Sequence, residues 1–152
     1  MSKPDFLYVT YIKTTPEKLW AALTNSEFTR QYWFDTEIKS DWKEGSPIAF
    51  YPHGENTANI VGTVLRSNPP RELAYTWGFP DLTASSEEPS RVTFTLEKDG
   101  DLVKLTVVHD QFTPGSAGIA RVSKGWPAVL SSLKSMLESG TPLSYPNWAV
   151  CG

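Results

Sequence analysis

The sequence predicts an α+β domain in which a curved antiparallel β-sheet wraps around one long C-terminal helix. Between residues 36 and 112, six short segments alternate apolar and polar residues and are separated by turn residues, which is typical of antiparallel strands. Residues 119–137 instead carry apolar side chains in steps of three and four, which places them on one stripe of a helix. Because this is the one large amphipathic helix, we expect its stripe to cover one face of the sheet.

One strand and two short helices precede the six strands. Residues 6–14 are rich in Tyr, Val, Thr and Ile, a composition that favours a strand. Thr15 followed by Pro16 is typical of a helix N-cap and first helical residue, so a helix is predicted over 16–23. Ser26 is the expected N-cap of a second short helix that ends near Tyr32.

The six strands are predicted at 36–42, 47–51, 59–66, 72–77, 91–98 and 101–112. The pair Asp99-Gly100 between two alternating runs is a strong signal for a hairpin. Gly62 inside the third of these strands predicts a bulge or a sharp bend. Residues 78–89 show no periodicity and are expected to form a loop, and the pattern leaves open whether that loop is a lid.

The long helix has signals at both ends. Ser116 is the expected N-cap and Gly140 the expected stop, while Pro127 predicts a kink. The face opposite the apolar stripe is polar and includes Ser132. Residues 139–152 predict an irregular tail, and the chain as a whole, 1–152, has the length of one domain.

A curved sheet around a long helix is the helix-grip arrangement, and it tends to leave a space between the two layers. The chain is rich in aromatic residues, with six Trp, six Tyr and seven Phe. Such rings are either plain core or the wall of a ligand pocket. The side chains expected to face the space are Trp33, Phe50, Tyr75, Trp77, Phe94, His109, Phe112 and Trp126, with Phe112 near the mouth.

Composition and charge restrict the classes of partner. A net charge of −3 with no basic stripe gives no support for nucleic-acid binding. No apolar run is long enough for a membrane span, and no segment is typical of a signal peptide, so a cytoplasmic protein is expected. The single cysteine, Cys151, cannot form an internal disulfide, and no metal site or cofactor is predicted.

Beyond these patterns, the chain resembles a known family. The residues that carry the resemblance are Tyr11-Ile12, Thr15-Pro16, Leu19-Trp20, Ala22-Leu23-Thr24, Tyr32-Trp33-Phe34, Asp41-Trp42, Gly45-Ser46-Pro47, Gly62, Val64-Leu65, Pro69-Pro70, Leu73, Tyr75-Thr76-Trp77, Ser90-Arg91-Val92-Thr93-Phe94, Leu105, His109-Asp110, Gly125-Trp126-Pro127, Leu133-Lys134 and Leu137-Glu138. In order and spacing they resemble bacterial proteins named for their similarity to the C-terminal domain of the activator of heat-shock protein 90 ATPase. That family belongs to the START-like superfamily, with the birch pollen allergen and polyketide aromatase/cyclases.

The resemblance implies the helix-grip fold but leaves several functions open, because the superfamily contains carriers of hydrophobic ligands, receptors and enzymes. We expect a binding protein for a small hydrophobic or aromatic molecule. The eukaryotic activator acts on its chaperone with the help of a separate N-terminal domain. Since 152 residues leave no room for that domain, contact with a chaperone or another protein is a less favoured alternative, in which the core is filled and an apolar patch near Trp148 docks the partner.

The other alternative is a START-like enzyme of the cyclase or hydrolase type that uses a histidine of the cavity, and the sequence gives it little support. The motifs of serine hydrolases, zinc proteases and phosphate-binding loops are absent. His53 lies in a polar loop and is expected to be solvated. His109 is expected on an inward face, as a buried histidine held by a hydrogen bond or as a polar anchor for a ligand. Catalysis would need a partner, and Asp110 should point to the other face of its strand, so no catalytic residue is predicted.

Overall fold

The computed structural model describes residues 5–80 and 88–143 and has the predicted α+β architecture. Its elements run in the predicted order, one strand, two short helices, six strands and one long helix. Their bounds are β1 Phe6–Ile12, α1 Pro16–Thr24, α2 Ser26–Tyr32, β2 Glu37–Ser40, β3 Pro47–Tyr51, β4 Ile60–Asn68, β5 Glu72–Trp77, β6 Ser90–Asp99, β7 Leu102–Asp110 and α3 Ala117–Ser139.

The seven strands form one antiparallel sheet in the order β1-β7-β6-β5-β4-β3-β2. From β2 to β7 each strand pairs with the next along the chain, which makes the meander that short turns predict. The β6–β7 hairpin closes at Gly100, whose φ of +63° is the left-handed conformation expected for Asp99-Gly100. β1 pairs with β7 and thereby becomes an edge of the sheet.

α3 covers the inner face of the sheet, and the helix-grip fold class is confirmed. Along β7, Val103, Leu105, Val107 and His109 have no exposed surface, whereas the residues between them are partly exposed. The predicted apolar stripe of α3 is buried through its middle, and Leu133 is 0% exposed. No helix within residues 5–80 and 88–143 has the length and apolar character needed to cross a membrane.

The predicted signals at the ends of α3 are confirmed. The Ser116 hydroxyl oxygen accepts a hydrogen bond from the Gly118 N–H at 2.9 Å, which satisfies one of the free donors of the first turn. Gly140 ends the helix with a φ of +84°, a conformation that costs little without a Cβ. The helix continues through Pro127 in a single element.

Three predicted details are wrong. Asn25, and not Ser26, caps α2, because its Oδ1 accepts from the Glu27 N–H at 2.9 Å. Ser132 is buried and not on an exposed face, because the chain after Gly140 folds back and the Leu143 N–H donates to Ser132 Oγ at 3.1 Å. The irregular pairing in β4 falls between Val64 and Arg66 and not at Gly62.

The predicted loop at 78–89 begins later than the polar sequence suggested. Gly78 exchanges two backbone hydrogen bonds with Val61, at 2.8 and 2.9 Å, so it extends the pairing of β5. Phe79 is buried as well, at 4% exposed. Residues 81–87 lie outside the described residues, as do Trp148 and Cys151 in the predicted tail.

Gly62 instead allows β4 and β5 to approach each other closely. A Cβ added at this position would lie 1.9 Å from the carbonyl oxygen of Thr76 on β5. The neighbouring Thr63 N–H donates to Thr76 Oγ1 at 2.8 Å, which fixes the strands at this separation. Because the obstructing atom belongs to the backbone, it cannot rotate away.

We therefore expect Gly62→Ala to lower the free energy of unfolding by about 1–3 kcal/mol, the usual cost of overpacking. Gly118→Ala is the matched control, since its nearest atoms are side-chain atoms of Ser116, Phe112 and Phe79 at 3.1–3.3 Å. These side chains can move by a few tenths of an ångström. Urea unfolding of both variants measures the difference, and equal losses would contradict the close approach at Gly62.

Candidate functional site

The eight side chains that the sequence predicts at the inner face do come together. They are Trp33 after α2, Phe50 on β3, Tyr75 and Trp77 on β5, Phe94 on β6, His109 on β7, Phe112 after β7, and Trp126 on α3, and we call them the ring cluster. Seven of them are 2% exposed or less, and Phe112 is partly buried at the rim. Strand alternation explains the convergence of five of them, because Phe50, Tyr75, Trp77, Phe94 and His109 occupy inward positions of their strands.

Trp77 lies at the centre of the ring cluster. Its ring centroid is 5.0 Å from that of Phe50, 5.1 Å from that of His109 and 5.3 Å from that of Trp126. Trp33 adds edge contacts to Phe50 and to Trp126 at 5.3 and 5.4 Å. These separations are those of directly packed aromatic pairs, so the rings contact one another across the space between sheet and helix.

A chain of hydrogen bonds runs through His109. The indole N–H of Trp126 donates to His109 Nδ1 at 3.0 Å. Since Nδ1 accepts, a neutral imidazole carries its proton on Nε2, which lies 2.7 Å from Ser90 Oγ and donates to it. The Ser90 hydroxyl in turn donates to the carbonyl oxygen of Trp77 at 3.1 Å. Both nitrogen atoms of the imidazole are therefore hydrogen-bonded. This series of hydrogen bonds connects α3 to β7, β6 and β5.

The surroundings keep His109 uncharged. Burial lowers the pKa of its imidazole from 6.5 to about 3, because the imidazolium would lose its hydration in this apolar site. The carboxylate of Asp110 points to the other face of the strand, as predicted, where it pairs with Arg91 at 3.3 Å. Among the described residues the buried polar and charged side chains are Thr29, Thr36, Ser90, His109 and Ser132, so no full charge is buried there.

Trp77 has an unused donor. Its Nε1 atom is buried and has no hydrogen-bond partner among the described residues. Leaving a buried N–H unpaired costs about 1–3 kcal/mol. The contrast with Trp126 is direct, because both indoles lie in the same cluster and only that of Trp126 has found an acceptor.

The surface clefts that described residues line lie away from the ring cluster. Four clefts lined by described residues open on the outer surface, and no residue of the ring cluster lines any of the four. His53 borders one of them and is exposed, with Asp35 as its partner. No group of three or more His, Cys, Asp or Glu side chains in the described part of the chain is arranged to hold a metal ion.

The sequence of this chain matches the model of a known protein family. The model of the family described as "Activator of Hsp90 ATPase homolog 1-like protein" matches residues 13–138. The chain belongs to that family. Among curated proteins, no sequence matches it.

Several solved structures share the fold of this chain. The Aha1 dimer from Colwellia psychrerythraea is 23% identical, with a TM-score of 0.72 over 89% of this chain and 96% of that one. CalU16 from Micromonospora echinospora is 24% identical, with a TM-score of 0.68 over 88% and 76%. An HSP90 activator from Plasmodium falciparum is 20% identical, with a TM-score of 0.65 over 80% and 86%. At these identities the likeness shows the shared fold.

Two contributors to the site of this family member were missed by sequence reasoning. The predicted strand over 91–98 does not include Ser90, although the alternation of Val92 and Phe94, extended back by two residues, places Ser90 on the inward face. The predicted loop over 78–89 includes Phe79, yet the ring of Phe79 contacts that of Trp77 edge-on, with 6.2 Å between the ring centroids. The guanidinium of Arg121 lies 4.8 Å from the centroid of the Phe79 ring. For Phe79 the only signal was its apolar character within a polar stretch.

Proposed function

We propose that this protein binds one small, flat, apolar molecule between the sheet and α3, in contact with the ring cluster. The family relationship supports binding in general, because the space between sheet and helix is where helix-grip proteins hold a ligand. In the proposal the walls are Trp33, Phe50, Tyr75, Trp77, Phe94 and Trp126, with Phe112 at the entrance. His109 contributes the face of its imidazole, since both of its nitrogens already have partners.

The observation that carries the proposal is the unpaired indole N–H of Trp77. A buried donor without an acceptor is uncommon in folded proteins, and a ligand oxygen would satisfy it. The donor lies among aromatic rings, so an aromatic molecule with one hydrogen-bond acceptor matches both features. The ligand would take its orientation from this single polar contact and its affinity from the rings.

The charge of the site favours an uncharged ligand. No full charge is buried among the described residues, and His109 remains neutral at ordinary pH. A buried carboxylate would therefore have no cation to pair with, and an unpaired buried charge is costly. A ligand with a neutral carbonyl or ether oxygen is therefore favoured over a fatty acid.

The rings are in mutual contact, so binding requires some of them to separate. We place the entrance at Phe112, the one member of the ring cluster that is only partly buried. The ring centroids of Phe112 and His109 are 4.6 Å apart. The Phe112 ring also lies close to Gly118 on the first turn of α3. Rotation of Phe112 away from Gly118 would open a path toward His109 and Trp77.

Removing the donor of Trp77 tests the proposal. Trp77→Phe keeps an aromatic ring but deletes the indole N–H, so we expect an aromatic ketone to bind about fivefold to tenfold more weakly, the loss of one hydrogen bond. Fluorenone and its carbonyl-free counterpart fluorene form a matched pair of probes, since they share ring shape. Calorimetric titration should show the effect of Trp77→Phe for fluorenone alone.

Trp20→Phe is the control, because Trp20 is partly buried at the periphery of the core and outside the ring cluster. It should leave the affinity for both probes unchanged. If both variants weaken binding equally, or if fluorene binds the wild-type protein as tightly as fluorenone does, the role assigned to Trp77 is wrong.

A specific observation also favours contact with a protein partner as a second candidate. The rings pack directly on one another, and apolar side chains are exposed on the outer face of β1, with Leu7 56% and Val9 45% exposed. Both features are expected of an interaction module. Absence of binding to any aromatic or lipid probe would favour this candidate. An enzyme is less favoured, because both imidazole nitrogens of His109 already have hydrogen-bond partners and burial lowers the pKa of the imidazole to about 3.

A further inference from the structure

β1 is an edge strand with three exposed apolar or aromatic side chains on its outer face. It lies at one end of the sheet, and Leu7, Val9 and Tyr11 on its outer face are 56%, 45% and 43% exposed. Residues 6–12 contain neither proline nor a charged side chain, the features that usually protect a sheet edge against pairing. The backbone of this strand is therefore suited to accept another strand.

The orientation of the free backbone groups follows from two contacts. The carbonyl of Tyr11 accepts from the Lys134 ammonium, and the N–H of Lys13 donates to Glu138 Oε2 at 2.8 Å, so these groups point away from β7. Because backbone groups alternate along a strand, those of Leu7 and Val9 point to the same free edge.

The β1 edges of two copies are complementary to each other when they run antiparallel. In an antiparallel pair centred on Val9, Val9 lies opposite Val9 of the second copy and Leu7 lies opposite Tyr11. In the same register Asp5 lies opposite Lys13, and two-fold symmetry makes this pairing twice. Both charges belong to exposed residues, and one oxygen of the Asp5 carboxylate, Oδ2, also accepts a hydrogen bond from the Phe112 N–H at 3.2 Å. Opposite charges directly across a strand pair are favourable.

We propose that two copies of this chain associate by antiparallel pairing of their β1 edges, in the register centred on Val9. The pairing joins the two sheets into one and gathers Leu7, Val9 and Tyr11 of both copies into an apolar cluster on the outer face. Asp5 of one copy and Lys13 of the other lie at each end of the cluster, and these charge pairs favour this register. A shift by one residue is also unfavourable, because it would place side chains on the wrong face of the sheet.

The existing contacts at the edge are replaceable. The side chains of Lys134 and Glu138, which now meet Tyr11 and Lys13, are 40% and 32% exposed and are joined to each other at 2.9 Å. They are flexible ends of side chains on the last turns of α3. In the paired form the backbone of Leu7 from the second copy takes the place of Lys134 at the carbonyl of Tyr11.

Sedimentation measurements on the full chain, from about 1 µM to about 1 mM, test the pairing. We expect a species of about twice the 16.9 kDa chain mass at the higher concentrations. Asp5→Lys and Lys13→Asp each set like charges opposite one another twice, so each should weaken association about fivefold to tenfold. The double variant restores opposite charges and should recover most of the wild-type affinity.

Val9→Lys sets two ammonium groups together at the axis and should leave the protein monomeric over the whole range. Leu65→Lys on β4 is the matched control, because Leu65 is exposed to the same degree, 46%, and lies away from β1. It should associate as the wild type does. A wild-type protein that stays monomeric, a dimer unaffected by Val9→Lys, or a double charge variant as weak as its single parents would each overturn the proposal.

Discussion

Acidification from pH 6.5 to 4.5 is expected to lower the free energy of unfolding by about 2–3 kcal/mol through His109 alone. Burial lowers the pKa of this imidazole from 6.5 to about 3 in the folded protein, whereas the unfolded chain keeps the ordinary value. Between these two values the unfolded state binds a proton that the folded state does not. The stabilisation is therefore fully present above pH 6.5 and is lost progressively as the pH falls toward 3.

Urea unfolding at several pH values measures this slope. His109→Asn removes the titrating group and should flatten the slope between pH 6.5 and 4.5, although the variant starts from a lower stability because the hydrogen bond to Ser90 is lost. The other histidine, His53, is exposed and is present in both proteins, so it does not contribute to the difference between their slopes. The lowered pKa values of Glu37 and Glu138 add acid sensitivity only below their ordinary value of 4.5, outside this window. A wild-type slope in His109→Asn would contradict the buried neutral imidazole.

Leu133→Ala is expected to cost about 2–5 kcal/mol of folding free energy. Leu133 has no exposed surface and lies on the stripe of α3 that covers the sheet. Truncation removes apolar contacts and leaves a cavity that the sheet can fill only in part. Thermal or urea unfolding of the variant measures the loss.

Two serines of α3 serve as comparisons. Ser123→Ala, at an exposed position, should stay within about 0.5 kcal/mol of the wild type. Ser132→Ala should cost about 0.5–1.5 kcal/mol, because Ser132 is buried and accepts the hydrogen bond from Leu143. A loss below about 0.5 kcal/mol in Leu133→Ala would mean that this part of α3 does not pack on the sheet.

Local rules were sufficient for most of the fold. The bounds of β3 and β5 agree with the prediction, as does the hairpin at Asp99-Gly100, because alternation and turn residues act within a few positions. The cap at Ser116 and the stop at Gly140 are local in the same sense. The errors arose where a distant segment decides the outcome. Ser132 is polar and in phase with the exposed face, but residues after the helix cover it.

The candidate site shows the same division. Strand alternation was enough to bring five of the rings to one face, and the apolar stripe of α3 was enough to turn Trp126 toward them. The pairing inside the cluster could not be predicted, because it depends on distances between elements far apart in the sequence. No local pattern distinguishes the indole of Trp126, which donates to His109, from that of Trp77, which has no acceptor among the described residues.

The indole N–H signal of Trp77 in a proton–nitrogen correlation spectrum tests the proposed function most directly. Titration with neutral aromatic ketones, and with fatty acids and carbonyl-free analogues for comparison, would follow this one donor. We expect a saturable shift of the Trp77 signal with the ketones. We expect a smaller effect at Trp126, whose indole N–H already donates to His109. A Trp77 signal that stays unchanged across the whole panel would contradict the ligand-binding proposal and leave contact with a protein partner as the better explanation.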